Sequence, residues 1–218
     1  MCGAFSLVSD LKFVAQRFDV ELPKGYYEPN YNARPTQLLP IILNSEPDKV
    51  VFSTWGIVPV WAKASKPIIN ARKDGLTTKP TFKKAFHERR CLVLADSFYE
   101  WGIKGGKKQP YRFVMKHDEL FAFAGLWGEN KQENKKTDTN FTIVTVEPNK
   151  MVAEIHNRMP AILPLNAEKE WLNPDLTDEQ ALELLRPYPE QDMKVYAVST
   201  LINSPSNNTV DVIKPARL

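Results

Sequence analysis

A chain of 218 residues with 43% hydrophobic and 25% charged side chains has the material for one substantial core and the balance of a soluble globular protein. A net charge of +3 permits an anionic partner without requiring one, because clustering on one face matters more than the sum. Two cysteines, Cys2 and Cys91, exclude a disulfide framework, and no apolar run approaches the roughly 20 residues that span a bilayer.

Free thiols and the lack of a basic-then-apolar secretory start point to a reducing, cytoplasmic location. With no repeat and no low-complexity linker, one monomeric domain over residues 1–218 is expected. The first expected element is a strand at AFSLV (4–8), which would tie the N-terminus down. In SDLKFVAQRF, Leu11, Val14, Ala15 and Phe18 recur at helical spacing behind Ser9 or Asp10 as cap. Further strands are expected at 37–43, 49–55, 90–96, 111–115, 120–127, 140–146 and 194–200, and Pro40 marks the first of these as an edge strand or a broken one. Helices are expected at 81–89, 150–156, 167–172 and 178–186, the last behind Thr177 and Gln180 in a capping-box pattern. The polar stretch GENKQENKKTDTN (128–140) reads as a solvated hairpin loop. Strands in runs without regular βα alternation predict an α+β fold, mainly antiparallel, with an open barrel-like core and peripheral helices.

Four segments carry chemistry. Cys2 in MCGA is either an ordinary small residue near a chain end or, after loss of Met1, a residue with an α-amine and a thiol side by side. An α-amine with a pKa near 7.7–8.0 is neutral far more often at pH 7 than a lysine, so it adds readily to an aldehyde. The thiol can then close onto the imine carbon to give a five-membered thiazolidine. In PIINARKDG, Asn70 and Arg72 alternate and would share a face of a short strand: an amide that could hold an amine, and a planar fork suited to phosphate, or else a turn with a surface arginine. Glu100 in ADSFYEWG is either an acid-base group with its pKa raised by aromatic neighbours or an edge-strand glutamate facing water. His156 in EIHNRMPAILP is either an acid-base group or a helix-end cap, with Arg158 two residues on. Cys2, Cys91, His87, His117 and His156 show no CxxC or HxxxH spacing, so neither a metal nor another cofactor is expected.

Nine segments occur together in a recognisable order: MCG, YNARPTQ (31–37), WGIVPVWAK (55–63), INAR (69–72), DSFYEW (96–101), FAFAGLWGE (121–129), FTIVTVEPN (141–149), IHNRMPAIL (155–163) and VSTLINSPSNN (198–208). Each alone is weak, but in this order, from residue 2 to about residue 213, the chain resembles the SOS response-associated peptidase family, the abasic-site processing proteins. The resemblance implies a protein that binds single-stranded DNA at an abasic site and crosslinks to the ring-opened sugar through its N-terminal cysteine as a stable thiazolidine. It implies that Cys2 supplies amine and thiol, Asn70 holds the Cys2 backbone or amine, Glu100 aids ring opening and proton transfer, and His156 protonates sugar oxygens and assists reversal. Arg72 and Arg158 would bind flanking phosphates, while Pro35 and Trp61 would pack against bases or block a duplex. The peptidase activity implied is removal of the protein's own N-terminal residue, and a strand-cleaving lyase side activity goes with imine chemistry.

Position 4 departs from the family pattern: Ala4 stands where arginine is usual, and Arg34, placed where a small residue is common, is expected to replace part of the missing charge. Two other readings stay open. An N-terminal-nucleophile glutamine amidotransferase also begins MCG, although this chain has no glycine-rich oxyanion loop. A non-covalent single-strand binding module would use Trp55, Trp61 and Trp101 as stacking platforms.

Overall fold

The structure, a computed structural model, describes residues 2–22, 27–58, 66–129 and 139–216. The chain begins with strand β1 (Phe5–Leu7), helix α1 (Leu11–Phe18) and strands β2 (Asn30–Ala33), β3 (Leu38–Leu43), β4 (Glu46–Trp55) and β5 (Asn70–Arg72). Helix α2 (Pro80–Glu88) leads into β6 (Arg90–Ala95), β7 (Ser97–Lys104), β8 (Lys107–Met115), β9 (Phe121–Glu129) and β10 (Thr139–Val146). Shorter pieces follow: α3 (Lys150–Ala153), β11 (Met159–Pro160), β12 (Ile162–Leu163), α4 (Leu165–Leu172), α5 (Asp178–Leu184) and β13 (Met193–Ala197). Two 3-10 turns, Thr200–Asn203 and Val210–Val212, come last.

The strands form two sheets. One has the order β13-β8-β7-β1-β2. In the other, β10, β4, β3, β6 and β9 pair in turn and β9 pairs back to β10, which closes a five-stranded barrel with β5, β11 and β12 on its rim. Among the described residues every pairing between these strands is antiparallel except those of β10 with β4 and β5. The α+β class expected from the sequence is the class found. Residues 130–138, most of the expected polar loop, lie outside the described residues; the strands on either side pair as a hairpin, Glu129 opposite Thr139.

A line of rings ties the sheets together. Phe113 stacks on Phe98 (centroids 4.7 Å apart), Phe98 meets Phe123 at 6.2 Å, Phe123 meets Phe5 at 5.8 Å, Phe5 meets Trp55 at 5.1 Å, and Trp55 stacks on Phe141 at 6.3 Å. These six rings come from β8, β7, β9, β1, β4 and β10, so one run of edge-on and stacked contacts crosses both sheets. Each such pair contributes about 0.5–1.5 kcal/mol beyond burial alone. Strand β6 is buried along its full length, the uninterrupted apolar reading of a strand covered on both faces.

Arg90, at the head of β6, is the buried exception. Its guanidinium donates to the carbonyls of Phe86 (2.9 Å) and His87 (3.0 Å) in the last turn of α2, and to those of Trp171 (2.9 Å) and Asn173 (2.6 Å) at the end of α4. One planar cation thereby satisfies the orphan carbonyls of two helix C-termini, where positive charge is favoured.

Three expectations need correction. Strand β3 is neither an edge nor broken: it lies between β4 and β6, and Pro40 is tolerated because pairing with β6 begins only at Ile41. Strand β2 was not expected, and β7 was expected only as the edge strand of one reading of Glu100. Glu100 does not face water from an edge; β7 runs between β8 and β1 and Glu100 is buried within it.

Candidate active site

Cys2 precedes β1, which is an interior strand of its sheet, held by Tyr99 N–H to the Ala4 carbonyl (3.0 Å) and Asp96 N–H to the Ser6 carbonyl (2.9 Å). Cys2 is therefore docked rather than frayed, with no exposed surface. Its thiol lies 3.5 Å from the Ala4 carbonyl, and burial, with the Glu100 charge adding to it, pushes the thiol well above the ordinary range. At neutral pH it stays protonated until a base removes the proton.

Strand β5 runs parallel to β10, with Asn70 opposite Ile143 and Arg72 opposite Thr145. Ala71 is buried between them, so Asn70 and Arg72 share the other face as their spacing of two predicts. The Asn70 side-chain amide donates to the Cys2 carbonyl at 2.9 Å, while its oxygen is buried with no hydrogen-bond partner. Glu100 comes from β7, and burial raises its carboxyl to about 7. His156 follows α3, its backbone N–H donating to the Val152 carbonyl at 2.8 Å, and its Nε2 stands 4.0 Å from the nearer Glu100 oxygen. The Arg158 backbone offers Nδ1 both an N–H at 3.1 Å and a carbonyl at 3.2 Å, so the ring is held whether it accepts or donates there. Burial lowers the His156 pKa, which leaves it neutral near pH 7. Segments far apart in sequence thus bring Cys2, Asn70, Glu100 and His156 to one place.

The expected phosphate ligands divide. Arg72 is half exposed, bonded by two nitrogens to the equally exposed Asp74 at 3.1 and 2.7 Å, an arrangement that water and salt screen and a phosphate can replace. Arg158 is buried and largely occupied, donating to Glu147 at 3.0 Å and to the Thr145 carbonyl and hydroxyl at 2.5 and 3.1 Å, with only Nε buried and unpartnered. Arg158 and Asp74, the partner of Arg72, line a cleft of about 290 Å³ together with Lys73, Thr77, Glu147 and Leu182. The roles of Thr145 and Glu147 went unseen in the sequence, where nothing marks a threonine as an arginine's anchor.

Arg34 is turned inward. It donates to Asn32 Oδ1 at 2.7 Å and to the Ile202 carbonyl, and its guanidinium lies over Trp101 at 5.4 Å. Asn32 reaches the carbonyls of Ile202, Ser204 and Asn207, so the pair pins the C-terminal 3-10 turn to β2 beside the site. Ala4 packs with Tyr99, Val198, Ile202 and Val212, fully buried. Pro35 is partly exposed in the turn from Arg34 to Gln37, which places Thr36 at φ 72°, a strained conformation for a β-branched residue. Trp61 lies outside the described residues. Trp55 cannot be a stacking platform, since it is fully buried against Phe5 and Phe141. Among the described residues no cluster of three or more histidine, cysteine or acidic side chains could hold a metal, and no helix is long and apolar enough to cross a membrane.

Residues 1–205 match the family described as SOS response associated peptidase (SRAP). The chain belongs to the SRAP family. Its curated relatives include the abasic site processing protein YoqW of Bacillus subtilis, 44% identical over 98% of this chain and 99% of that one. The abasic site processing protein HMCES of Gallus gallus is 32% identical, covering 90% of this chain and 69% of its own. A crystal structure of a Bacteroides thetaiotaomicron protein superposes with a TM-score of 0.88 at 27% identity, covering 99% of this chain and all of that one. The closed barrel and its companion sheet are therefore an SRAP fold, and the cluster around Cys2 is the candidate site of an SRAP domain.

Proposed function

We propose that this protein processes abasic sites in single-stranded DNA by forming a thiazolidine crosslink through Cys2 once Met1 has been removed. What carries the reading is the Asn70 amide on the Cys2 carbonyl with the Glu100–His156 pair beside it, in a chain whose relatives are abasic site processing proteins. An abasic sugar must first open from hemiacetal to aldehyde, which takes a proton from the O1 hydroxyl and gives one to the ring oxygen. A carboxyl near pKa 7 and a neutral imidazole serve both directions of that transfer. The α-amine of Cys2, held by the Asn70 oxygen that now lacks a partner, adds to the aldehyde, and water leaves with a proton from Glu100. The thiol then adds to the imine carbon, its proton passing to the nitrogen. Running the same transfers backwards reverses the crosslink. Arg72 takes a flanking phosphate in place of Asp74; Pro35 and Trp101 offer partly exposed surface to bases.

The test is a denaturing gel after mixing processed protein with single-stranded abasic DNA. A shifted, heat-stable band is expected; Cys2→Ala should give none, only an imine trapped by borohydride, and His156→Ala should slow both formation and reversal. Absence of the band with protein of confirmed processed mass would sink the proposal, and ammonia release from glutamine would favour an amidotransferase.

A further inference from the structure

We propose that the hairpin joining β7 to β8 is a second nucleic-acid contact, which grips backbone phosphates of the strand running past the reacting sugar. This rests on the reading above, in which DNA is the substrate. The tip reads Ile103, Lys104, Gly105, Gly106, Lys107, Lys108, and all six residues are exposed. Both glycines have positive φ, 57° and 74°, the signature of a tight two-residue turn matched to strand twist. The ladder runs unbroken to the pair Lys104–Lys107, so the lysines sit on paired strands and not on a slack loop.

The register decides where they point. Glu100 pairs with Tyr111, Gly102 with Gln109 and Lys104 with Lys107, and paired residues share a face. Lys104 and Lys107 therefore stand on the face that carries Glu100. Gly102 lies on the same face, and any side chain there would meet Ile155, the neighbour of His156. From Glu100 to Lys104 is four residues, about 13 Å along the strand. That distance is longer than one nucleotide of an extended single strand, so the lysines meet flanking nucleotides rather than the reacting one.

Two like charges directly opposite on a ladder repel each other. Among the described residues three lysines elsewhere have acidic partners: Lys49 with Glu46, Lys84 with Glu88 and Lys214 with Asp211. Among the described residues none pairs with Lys104, Lys107 or Lys108. A polyanion laid along the Glu100 face relieves that repulsion.

The experiment compares wild type with the double variant K104Q/K107Q, both residues exposed and both on the Glu100 face. Non-covalent binding is measured on strands carrying an unreactive tetrahydrofuran abasic analogue, one a trinucleotide and one several times longer, across a salt series. On the long strand the variant should bind more weakly, with its salt slope lower by roughly 0.7 for each lysine that meets a phosphate. Where two of the lysines meet phosphates, raising salt from about 50 to 200 mM costs the wild type roughly sevenfold more affinity than it costs the variant. On the trinucleotide the two proteins should bind alike. Equal slopes on the long strand, or equal losses on both strands, would overturn the proposal while leaving the crosslinking reading intact. Wild type that binds neither strand would fail both. Wild type retained on phosphatidylserine vesicles better than the variant, with equal DNA slopes, would assign the hairpin to a membrane surface instead.

Discussion

Glu100 holds a proton in the folded protein across a range where the unfolded chain has released it, from its ordinary 4.5 up to about 7. Stability must fall as pH rises through that window, by up to about 3 kcal/mol, because the folded state binds more protons there. Glu100→Gln has the same shape and cannot ionise. It is predicted to unfold at higher urea than wild type at pH 8, to match it more closely near pH 5, and to crosslink slowly. Urea melts at both pH values check this; a variant that keeps the wild-type difference between the two would mean that another group carries the linkage. Such a gain in stability at the expense of chemistry is the usual mark of a reactive site. Some of this site was legible beforehand. The spacing of Asn70 and Arg72 gave their shared face, and Cys2 drew attention by its scarcity. Glu100 was ambiguous because Phe98, Tyr99, Glu100 and Trp101 show no alternation that separates a wet face from a buried one. Arg34 and Arg158 read as free cations because their partners could not be seen: the Ile202 carbonyl that Arg34 reaches is 168 positions away.

Helices were the most legible elements, since caps and apolar spacing are local. Asp10 caps α1, and Thr177 with Gln180 forms the capping box expected of α5. What local pattern could not show is that α2 and α4 share a terminator. Arg90 was unremarkable in sequence, yet its fork joins two helix ends that lie more than 80 positions apart. Arg90→Leu is predicted to destabilise by about 3 kcal/mol or more, the worth of two charge-assisted hydrogen bonds. Arg90→Lys should not restore this, because an ammonium cannot span both helix ends with one planar fork. Thermal unfolding of the two variants checks the claim, and a lysine variant as stable as wild type would contradict it. Short strands such as β2 were missed for the opposite reason: NYNA is polar, and only pairing with β1 makes it a strand.

At the scale of the whole molecule, runs of strands without βα alternation were enough to place the fold class, but not to close the barrel. Closure depends on β10 pairing in parallel with β4, Phe141 opposite Trp55, and no local pattern announces a partner that distant. The rings that link both sheets predict cooperative unfolding. Phe123 touches Phe5, Phe98 and Phe121, so Phe123→Ala should cost about 3–5 kcal/mol and loosen both sheets in one transition. Separate fluorescence and circular dichroism midpoints in that variant would show instead that the sheets melt independently. The interior placement of β1 also sets an order in time. Ser6 meets Ser97 across 91 positions, and His156 is synthesised later still. At about 5–20 residues per second, a ribosome takes roughly 8–30 s to pass from position 2 to position 156. On the proposed function, trimming of Met1 by another enzyme would belong to that interval, because once β1 docks Cys2 has no exposed surface. On that route the amine would have to be uncovered before the sheet closes over it.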